Sequence, residues 1–265
     1  MALLTHWEGE PLGIWRSLWD LSHLEAHDGL DSTNDRARDL AREGKGGWSV
    51  ILAEAQARGR GRGNRTWVSP AGKGLLFSLI LPSGDAGWNS LLPIRMGLAV
   101  ARALENLRRE GGAAHGLPVE LKCPNDLILG GRKVGGILCE GGGEETLVAG
   151  LGINIRHTRG DFPEALRGTA GSLEMFLNER VSRSRLLGEI LMETRERLKR
   201  TGSLLAPQEL EEYGHRDHLL GAEIISELEG PGVGSGLTPE GHPLLRRQDG
   251  ELCRVRAGSV TRIPV

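Results

Sequence analysis

The chain has 265 residues, of which 38% are hydrophobic and 26% charged, enough for one large domain or a medium domain plus a small one. Its formal net charge of −2 argues against a dedicated nucleic-acid-binding protein, which usually carries a strongly basic field. Cys123, Cys139 and Cys253 lie far apart without metal-site spacing, so we expect no disulfide framework, no zinc site and a cytoplasmic location. The sequence shows no signal peptide and no apolar run of about 18 residues, so we expect no membrane contact.

The first half of the chain predicts alternating helices and apolar strands. Residues 32–35, Ser-Thr-Asn-Asp, are typical of a helix start, and Gly44 marks its end. Residues 48–54 and 74–81 are apolar runs that predict buried strands. Apolar residues at helical spacing over 90–110 predict an amphipathic helix.

The second half predicts shorter elements. Four short strands with glycine-rich turns are expected at residues 119–122, 126–129, 136–140 and 146–155. An amphipathic helix should follow over 182–200, and from about 215 the pattern changes to short β segments with Gly/Pro turns. We therefore predict an α+β fold with a mixed sheet and its helices on one face in a main domain, residues 1–214, and a small β-barrel domain, residues 215–265.

An arginine- and glycine-rich loop joins the first two predicted strands. It runs from Gln56 to Trp67 as QARGRGRGNRTW, with glycines between the arginines. Glycines let the backbone approach a phosphate, and guanidinium groups bind phosphate or carboxylate bidentately. A solvated basic loop or an RNA contact is the alternative. No aromatic residue interleaves the arginines and two apolar strands bound the loop, which favours an anchored, lid-like element.

A second constellation combines Lys122, Asn125 and Asp126 with Lys133 seven residues later. A hairpin turn at Gly130-Gly131 would bring Lys133 back beside the Asn-Asp segment. A carboxylate, an amide and two lysines there could hold a nucleotide, its magnesium and a developing negative charge. A surface hairpin with a polar rim is the alternative.

The segment Gly150-Leu-Gly152-Ile-Asn154 has two glycines in a predicted strand, which indicates a ligand or another backbone lying against it, or a β-bulge. Two other matches fail. The segment 71–74 lacks the upstream glycine and the Ser/Thr of a phosphate loop, and residues 215–218 lack the remaining residues of a kinase catalytic loop. The two histidines of that second segment have no partner with metal-site spacing.

Taken in order, five motifs resemble those of the biotin protein ligase family. They are Ser-Thr-Asn at 32–34, Gln-x3-Arg-Gly-Arg-Gly-x-Arg-x-Trp-x-Ser-Pro at 56–70, Lys-x-Pro-Asn-Asp at 122–126, Lys-x-Gly-Gly-Ile at 133–137 and Gly-x-Gly-Ile-Asn at 150–154. Each alone is weak, but five in the right order are specific. The C-terminal segment from Leu220 resembles the family's small SH3-like domain. The resemblance implies a fold like that of class II aminoacyl-tRNA synthetases and biotin ligases.

The resemblance implies that the enzyme joins biotin to ATP, forming biotinyl-5′-AMP, and then transfers biotin to a lysine of a biotin carboxyl carrier protein. Its implied ligands are biotin, ATP and Mg²⁺. The implied catalytic residues are Lys133, Arg62 and Asp126. The implied cofactor-binding residues are Ser32, Thr33, Asn34, Gln56, Arg60, Gly61, Arg62, Arg65, Trp67, Lys122, Asn125, Lys133, Gly136 and Asn154, and no residue is assigned as a resident metal ligand.

Within that set the resemblance implies four groups of roles. Ser32, Thr33 and Gln56, with backbone near Gly136, would hold the biotin ring. Arg60 and Arg62 would close over the adenylate. Lys133 would contact the biotin carboxylate and the α-phosphate. The nucleotide and its magnesium would be served by Arg65, Lys122, Asn125, Asp126 and Asn154, and Trp67 is a candidate partner for the adenine.

Two positions depart from the family's pattern. Cys123 stands where the family usually has Trp, and Gly63-Asn64 stands where a variable residue followed by Gly is usual. The first alters packing or stacking, and the second alters the geometry of the arginine loop. Neither removes a charged group.

Three other functions remain as alternatives. A lipoate or octanoate ligase shares the fold and the adenylate chemistry, but the Arg-Gly-Arg-Gly and Lys-x-Pro-Asn-Asp motifs favour biotin. A biotin-dependent repressor would need a DNA-binding helix pattern, and the roughly thirty residues before Ser32 show none, so we expect no specific DNA binding. A binding protein without catalysis is disfavoured by Lys133 and Arg62. The sequence leaves the oligomeric state open, a homodimer included.

Overall fold

A seven-stranded mixed sheet forms the centre of the protein. The computed structural model describes residues 2–83, 86–110, 117–143, 145–177, 179–199, 202–255 and 260–263. The elements are β1 His6–Trp7, β2 Glu10–Pro11, α1 Leu12–Leu18, β3 His23–His27, α2 Thr33–Arg42, β4 Ser49–Ala53, β5 Gly74–Pro82, α3 Ala86–Glu110, β6 Glu120–Lys122, β7 Asp126–Leu129, β8 Arg132–Gly141, β9 Thr146–Asn154, α4 Leu173–Leu177, α5 Arg183–Leu198, α6 Pro207–Gly214, β10 Glu223–Ser226, β11 Gly230–Leu237, β12 Pro243–Arg246, β13 Leu252–Arg254 and β14 Val260–Arg262.

The strand order of this sheet is β3-β4-β5-β9-β8-β7-β6. Strands β3 and β4 pair in parallel, and every other neighbouring pair is antiparallel. The predicted mixed sheet and α+β class are therefore confirmed. The parallel pair requires a crossover, and α2 lies on that crossover between β3 and β4.

The prediction that the helices share one face of the sheet is wrong for α2. Helices α3 and α5 pack with one set of alternating side chains, such as Phe77 and Leu79 of β5, in the main core. Ala37 and Leu40 of α2 pack with the opposite set, which includes Ile51 and Ile80. Because successive strand residues point to opposite faces, these two clusters lie on different sides of the sheet.

Several element boundaries differ from the predicted ones. Strand β7 matches its predicted range, whereas β8 begins at Arg132 instead of 136. The tight turn at Gly130-Gly131, with φ values of +56° and +72°, reverses the chain within two residues, so β8 begins directly after it. Helix α3 begins at Ala86 instead of 90. The helix predicted over 182–200 is α5, which ends at Leu198 with Lys199 as its C-cap, and residue 200 lies outside the described residues.

Some short elements were not predicted. These are β1, β2, α1, β3, α4 and α6. Helix α6 does carry a recognisable start, because Pro207 opens it and Glu209 accepts a hydrogen bond from the backbone N–H of Ala206 at 2.9 Å. The N-terminal elements are too short for a periodic signal.

Arg183, at the start of α5, joins the two strands that flank the arginine-rich loop. Its guanidinium donates to Glu54 at 2.7 Å and to the carbonyl of Gly74 at 3.1 Å, so it contacts the chain just after β4 and at the start of β5. Glu8 accepts a further bond at 2.5 Å. Burial of a charge is tolerated only with such partners, so Arg183 fixes both ends of the loop.

The C-terminal segment forms a separate five-stranded sheet in the order β13-β12-β11-β10-β14. It has its own apolar cluster, consisting of Leu219, Ala222, Ile224, Leu245, Val255 and Val260. A small C-terminal β unit is therefore present. Parts of the predicted barrel, residues 256–259 and 264–265, lie outside the described residues.

Within the described ranges, no helix has the length and apolar character needed to cross a bilayer. All three cysteines are free. Burial raises the pKa of the Cys123 thiol to about 12, so this thiol stays protonated near neutral pH. At that position the sulfur lies 3.6 Å from the carbonyl oxygen of Gly241, in contact with the C-terminal unit.

Candidate active site

Three glycines leave one area of the central sheet without side chains. Gly136 of β8 pairs with Gly152 of β9, and Gly150 of β9 pairs with Ser78 of β5. All lie on the face that α2 covers. A Cβ atom on Gly150 would lie 2.0 Å from Asn34 Oδ1, and one on Gly152 would lie 2.6 Å from the Trp67 ring. We call Gly136, Gly150 and Gly152 the glycine floor.

The Ser-Thr-Asn motif lies at the N-terminus of α2, beside the glycine floor. Ser32, Thr33 and Asn34 are each under 5% exposed. Ser32 is the N-cap residue of α2, but its hydroxyl makes no capping bond. Thr33 donates through its backbone N–H and its hydroxyl to Gln56 Oε1, at 2.8 and 3.2 Å. The structure thus brings together the residues assigned to the biotin ring.

Buried hydrogen bonds continue from this motif to β8. The hydroxyl of Ser78 lies 2.8 Å from Thr33 Oγ1 and donates to Asn34 Oδ1 at 2.6 Å. Asn34 Nδ2 donates to Glu140 Oε2 at 2.7 Å and to the carbonyl of Leu138 at 3.2 Å. Asn34 is therefore a scaffold residue whose carboxamide hydrogen-bonds to protein partners.

The arginine-rich loop forms a narrow hairpin over residues 59–67, which we call the arginine hairpin. Trp67 N donates to Gly59 O at 2.8 Å, and Gly61 N donates to Arg65 O at 2.6 Å. Gly63 has φ +65°, a left-handed conformation that suits glycine, so the departure from the family's pattern at this position is accommodated by the turn itself.

The four arginines of this loop are not gathered at one point. Arg58 pairs with Asp31, and Arg60 pairs with Asp35 and Glu140 at 2.8 Å each. Arg62 and Arg65 are exposed on the hairpin. Arg60, which we expected to close over the adenylate, is already paired with two carboxylates. Arg62 and Arg65 remain accessible.

Lys133 lies at the edge of the glycine floor. Its Nζ donates to Asp126 Oδ1 at 2.6 Å and lies 5.9 Å from the centroid of the Trp67 ring. A Cβ on Gly136 would be 3.6 Å from the same ammonium. The hairpin turn predicted from the sequence does bring Lys133 back to Asp126, because the turn at Gly130-Gly131 folds β8 against β7.

Lys122 and Asn125 complete this corner. Lys122 is the register partner of Asp126 across β6 and β7. Burial lowers the pKa of Lys122, although the nearby Asp126 carboxylate opposes the shift. Asn125 Nδ2 donates to the carbonyl of Ile137 at 2.9 Å, which fixes the turn between the two strands.

Asn154 and His157 border the floor at the end of β9. Asn154 Nδ2 donates to the carbonyl of Gly171 at 3.0 Å, and its buried Oδ1 has no hydrogen-bond partner among the described residues. His157 is 1% exposed, lies 3.0 Å from Ser69 Oγ through Nε2, and stacks on Phe162 at 5.2 Å between ring centroids.

Sequence reasoning missed several of these residues. Ser78 is a polar residue inside the apolar run GLLFSLIL, which is a readable signal of a buried hydrogen bond. Asp35, Glu140, Ser69 and His157 carry no comparable signal, because their roles depend on strands distant in sequence. In the described part of the chain, no group of three or more His, Cys, Asp or Glu side chains is placed to hold a metal ion.

Comparison with known proteins agrees with the motif order. A sequence profile of the Biotin/lipoate A/B protein ligase family matches residues 28–155. The bifunctional ligase/repressor BirA of Escherichia coli (strain K12) is 32% identical over 235 residues, covering 83% of this chain and 68% of that protein. The chain belongs to the biotin protein ligase family.

Other members of the biotin protein ligase family match in part. BirA of Bacillus subtilis (strain 168) is 34% identical over 175 residues, covering 64% of this chain and 52% of that protein. The chain spans about half the length of the first such curated relatives. A solved structure of biotin protein ligase from Aquifex aeolicus in complex with biotin and ATP has a TM-score of 0.76 at 26% identity, covering 92% of this chain and 100% of that one.

The first prediction from this site concerns the glycine floor of this biotin protein ligase family member. Gly152→Ala should lower the free energy of unfolding by about 1–3 kcal/mol, because the new methyl group overlaps the Trp67 ring. Gly141→Ala is the control, since a Cβ there has nothing within 4 Å. Trp67→Leu added to Gly152→Ala should recover part of the loss. Equal denaturation curves for the two alanine variants would contradict the proposed packing.

A second prediction concerns His157. Burial lowers the pKa of His157 from 6.5 to about 4. As the pH falls, the imidazole is therefore protonated in the unfolded chain before it is protonated in the folded protein. Between about pH 6.5 and pH 4 the wild type should lose about 2–3 kcal/mol of unfolding free energy relative to His157→Gln, and above pH 6.5 the difference should be constant. Urea unfolding at a series of pH values measures this. Parallel pH profiles for the two proteins would show that His157 is not buried as a neutral base.

Proposed function

We propose that this chain is a biotin protein ligase that activates biotin with ATP and transfers it to a lysine of a biotin carboxyl carrier protein, a C–N bond-forming ligase of the biotin–[acetyl-CoA-carboxylase] type. The observation that carries the proposal is the position of Lys133. Its ammonium lies beside Asp126 and Trp67 at the edge of the glycine floor, where a ligand's carboxylate and phosphate could meet. The family membership and the neighbour solved with biotin and ATP support the same substrates.

In the first half-reaction, a biotin carboxylate oxygen attacks the α-phosphorus of ATP. The new C(O)–O–P bond forms as the bond to pyrophosphate breaks, and pyrophosphate leaves. Two anions must approach each other, so cations must offset their repulsion. Lys133 would stabilise negative charge on the carboxylate and the α-phosphate, and exposed Arg62 and Arg65 would bind phosphate oxygens.

In the second half-reaction, the neutral ε-amine of the carrier lysine attacks the carbonyl carbon of biotinyl-5′-AMP. The amide C–N bond forms, AMP leaves with the electrons of the C–O bond, and the nitrogen releases a proton. A lysine with an ordinary pKa near ~10.4 is mostly protonated at neutral pH. Asp126 would favour deprotonation of the approaching amine when Lys133 turns toward the adenylate.

The remaining site residues would bind the parts of the substrates around this centre. Thr33 and Gln56 would hydrogen-bond to the biotin ring with those polar atoms of the Thr33 hydroxyl and the Gln56 carboxamide that do not already bond to each other. Ser32 lies next to them. Trp67 offers an aromatic face to the adenine, and backbone at Gly61 and Gly136 would approach the ligand closely. Lys122, Asn125 and Asn154 would contact the nucleotide.

Magnesium fits this arrangement as an ion that arrives with ATP. Mg²⁺ is commonly held by one or two carboxylates together with substrate phosphates and waters, and does not need an all-protein cage. Asp126 would supply a carboxylate beside Lys133. When bound, the ion would neutralise charge on the phosphates.

The proposed protein has two domains, as the sequence predicts. We place the boundary at residues 214 and 215, after α6, and propose that the five-stranded unit closes as an SH3-like barrel. Its separate apolar cluster supports an independent fold. A cytoplasmic location agrees with three free cysteines and with a carrier protein as substrate. A homodimer remains a hypothesis for the assembly.

The nearest alternative is a lipoate-type ligase, and one experiment separates the two. The wild-type protein should exchange labelled pyrophosphate into ATP when biotin is present, and at background rate when lipoate or octanoate replaces it. The physical reason is that the part-buried Thr33–Gln56 pair offers hydrogen bonds to a polar ring, which a dithiolane or an alkyl chain cannot accept. Exchange with lipoate but not biotin would overturn the proposal.

Lys133 provides the sharpest single-residue prediction for this function. Lys133→Ala should reduce biotin-dependent pyrophosphate exchange by about 10²-fold, the scale of losing one charge partner in the transition state. Lys73→Ala is a matched control, because Lys73 also pairs with an aspartate at 2.6 Å and is similarly exposed, at 37% against 35%. Lys73→Ala should stay within about twofold of wild type. A Lys133→Ala variant with near wild-type exchange would remove Lys133 from the site.

A further inference from the structure

A β-bulge in β8 turns Lys133 toward the glycine floor. Two consecutive residues of β7 pair with Lys133 and Gly135, so Val134 between them is the extra residue of the bulge. Lys133 and Gly136 are three residues apart and would point to opposite faces of a regular strand. With the bulge, Lys133 Nζ lies 3.6 Å from the position of a Cβ on Gly136, while Val134 is fully buried in the main core. The position of the Lys133 ammonium therefore depends on the shape of this bulge.

The segment 169–171 binds the backbone of Lys133 on the side away from β7. Lys133 N donates to the carbonyl of Thr169 at 2.8 Å, and Gly171 N donates to the carbonyl of Lys133 at 3.0 Å. The carbonyl of Gly171 in turn accepts a bond from Asn154 Nδ2 at 3.0 Å. Both backbone polar groups of Lys133 are thus paired with this segment, so a shift of the segment would move the lysine with it.

Phe176 of α4 lies between this segment and the turn that precedes β8. A Cβ on Gly130 of the turn would lie 2.5 Å from one edge of the Phe176 ring, and a Cβ on Gly171 would lie 2.6 Å from the other edge. Neither distance leaves room for a carbon atom, so the ring occupies the space that side chains at the two glycines would need. The ring therefore sets the separation between the turn and the segment.

We propose that Phe176 is a positioning residue for Lys133: its ring holds the segment 169–171 against the bulge and so keeps the ammonium beside Asp126, on the face of the glycine floor. The position of the lysine concerns the substrate-free protein alone, whereas its effect on biotin activation rests on the proposed function. Phe176 would act through Lys133 and not on the substrates directly. A close-packed ring transmits such a constraint because it cannot be compressed.

Acetylation of the substrate-free protein tests the position of the lysine. The protein is treated with sulfo-N-hydroxysuccinimide acetate, and peptide mass spectrometry gives the ratio of acetylated Lys133 to acetylated Lys73. Lys73 is an internal reference, because each lysine pairs with an aspartate at 2.6 Å and their exposures are 37% and 35%. Phe176→Ala should raise the ratio about two- to fivefold, the range of an exposed ion pair, because a displaced amine leaves Asp126 more often. Met175→Ala is the control on the same helix, since Met175 is 40% exposed, and should leave the ratio unchanged.

A matched pair of glycine variants tests the same contact with the ring intact. Gly130 and Gly131 have left-handed φ values of +56° and +72°, so alanine carries a similar backbone strain at each. A Cβ on Gly130 meets the Phe176 ring, whereas one on Gly131 has no described atom within 4 Å. Gly130→Ala should therefore give a ratio about two- to fivefold above that of Gly131→Ala. Equal ratios within either pair of variants overturn the proposal, and the glycine pair decides it where Phe176→Ala does not fold.

Pyrophosphate exchange tests the consequence for biotin activation. Phe176→Ala should lower kcat for biotin-dependent exchange by about tenfold and leave the KM values for ATP and biotin within about twofold, because the lysine is misplaced and the substrates still bind. Phe176→Leu should recover part of kcat, since it refills most of the space.

The double variant separates positioning from general damage to the fold. In the Lys133→Ala background, Phe176→Ala should change kcat by less than about twofold, because its effect acts through the lysine that is already removed. An equal loss in both backgrounds overturns a role through Lys133. Absence of biotin-dependent exchange in the wild type overturns the proposed function instead, and the acetylation ratios still decide whether Phe176 positions the lysine.

Discussion

The lack of side chains at Gly136, Gly150 and Gly152 is the constraint on which the rest of the site depends. A sheet face normally carries a side chain at every second residue, which would fill the space above it. Here Asn34 and Trp67 lie so close to the strands that a single methyl group on Gly150 or Gly152 would overlap them. The glycines therefore decide how deeply α2 and the arginine hairpin approach the sheet, and how much room a ligand has beside Lys133.

The polar side chains around the glycine floor hydrogen-bond to one another. Gln56, Thr33, Ser78, Asn34 and Glu140 form a continuous series of hydrogen bonds that ends at Arg60. The part of this network at Ser78, Thr33 and Asn34 is buried. A buried network is stable only when its members are satisfied, and its geometry is then narrowly defined. This explains why a loop rich in glycine and arginine can have a fixed base beside the proposed substrate site.

The opposite side of the sheet supplies the rigidity that the site needs. Helices α3 and α5 cover it with the main apolar core, and Arg183 extends from α5 to the ends of β4 and β5. Arg95, only 1% exposed, likewise ties α3 to Glu209 of α6 at 3.0 Å. The arginine hairpin is thus fixed from one side by a buried ion pair and from the other by exposed ones, so its base is stable while its tip stays accessible.

The sequence by itself determined the elements whose signals are local. The apolar runs located β4, β5 and α3, the Ser-Thr-Asn segment located the start of α2, and Gly130-Gly131 predicted the turn that returns Lys133 to Asp126. The order of five motifs determined the family. Only the tertiary structure decided that α2 lies on the opposite face from α3 and α5, because amphipathic spacing shows that a helix has an apolar side and not which side of a sheet it covers. Only the structure decided that Arg60 faces Asp35 and Glu140 while Arg62 and Arg65 stay exposed, because an alternation of arginine and glycine leaves the direction of each side chain undetermined. That direction depends on carboxylates 25 and 80 residues away in sequence, which meet Arg60 only when the sheet has formed.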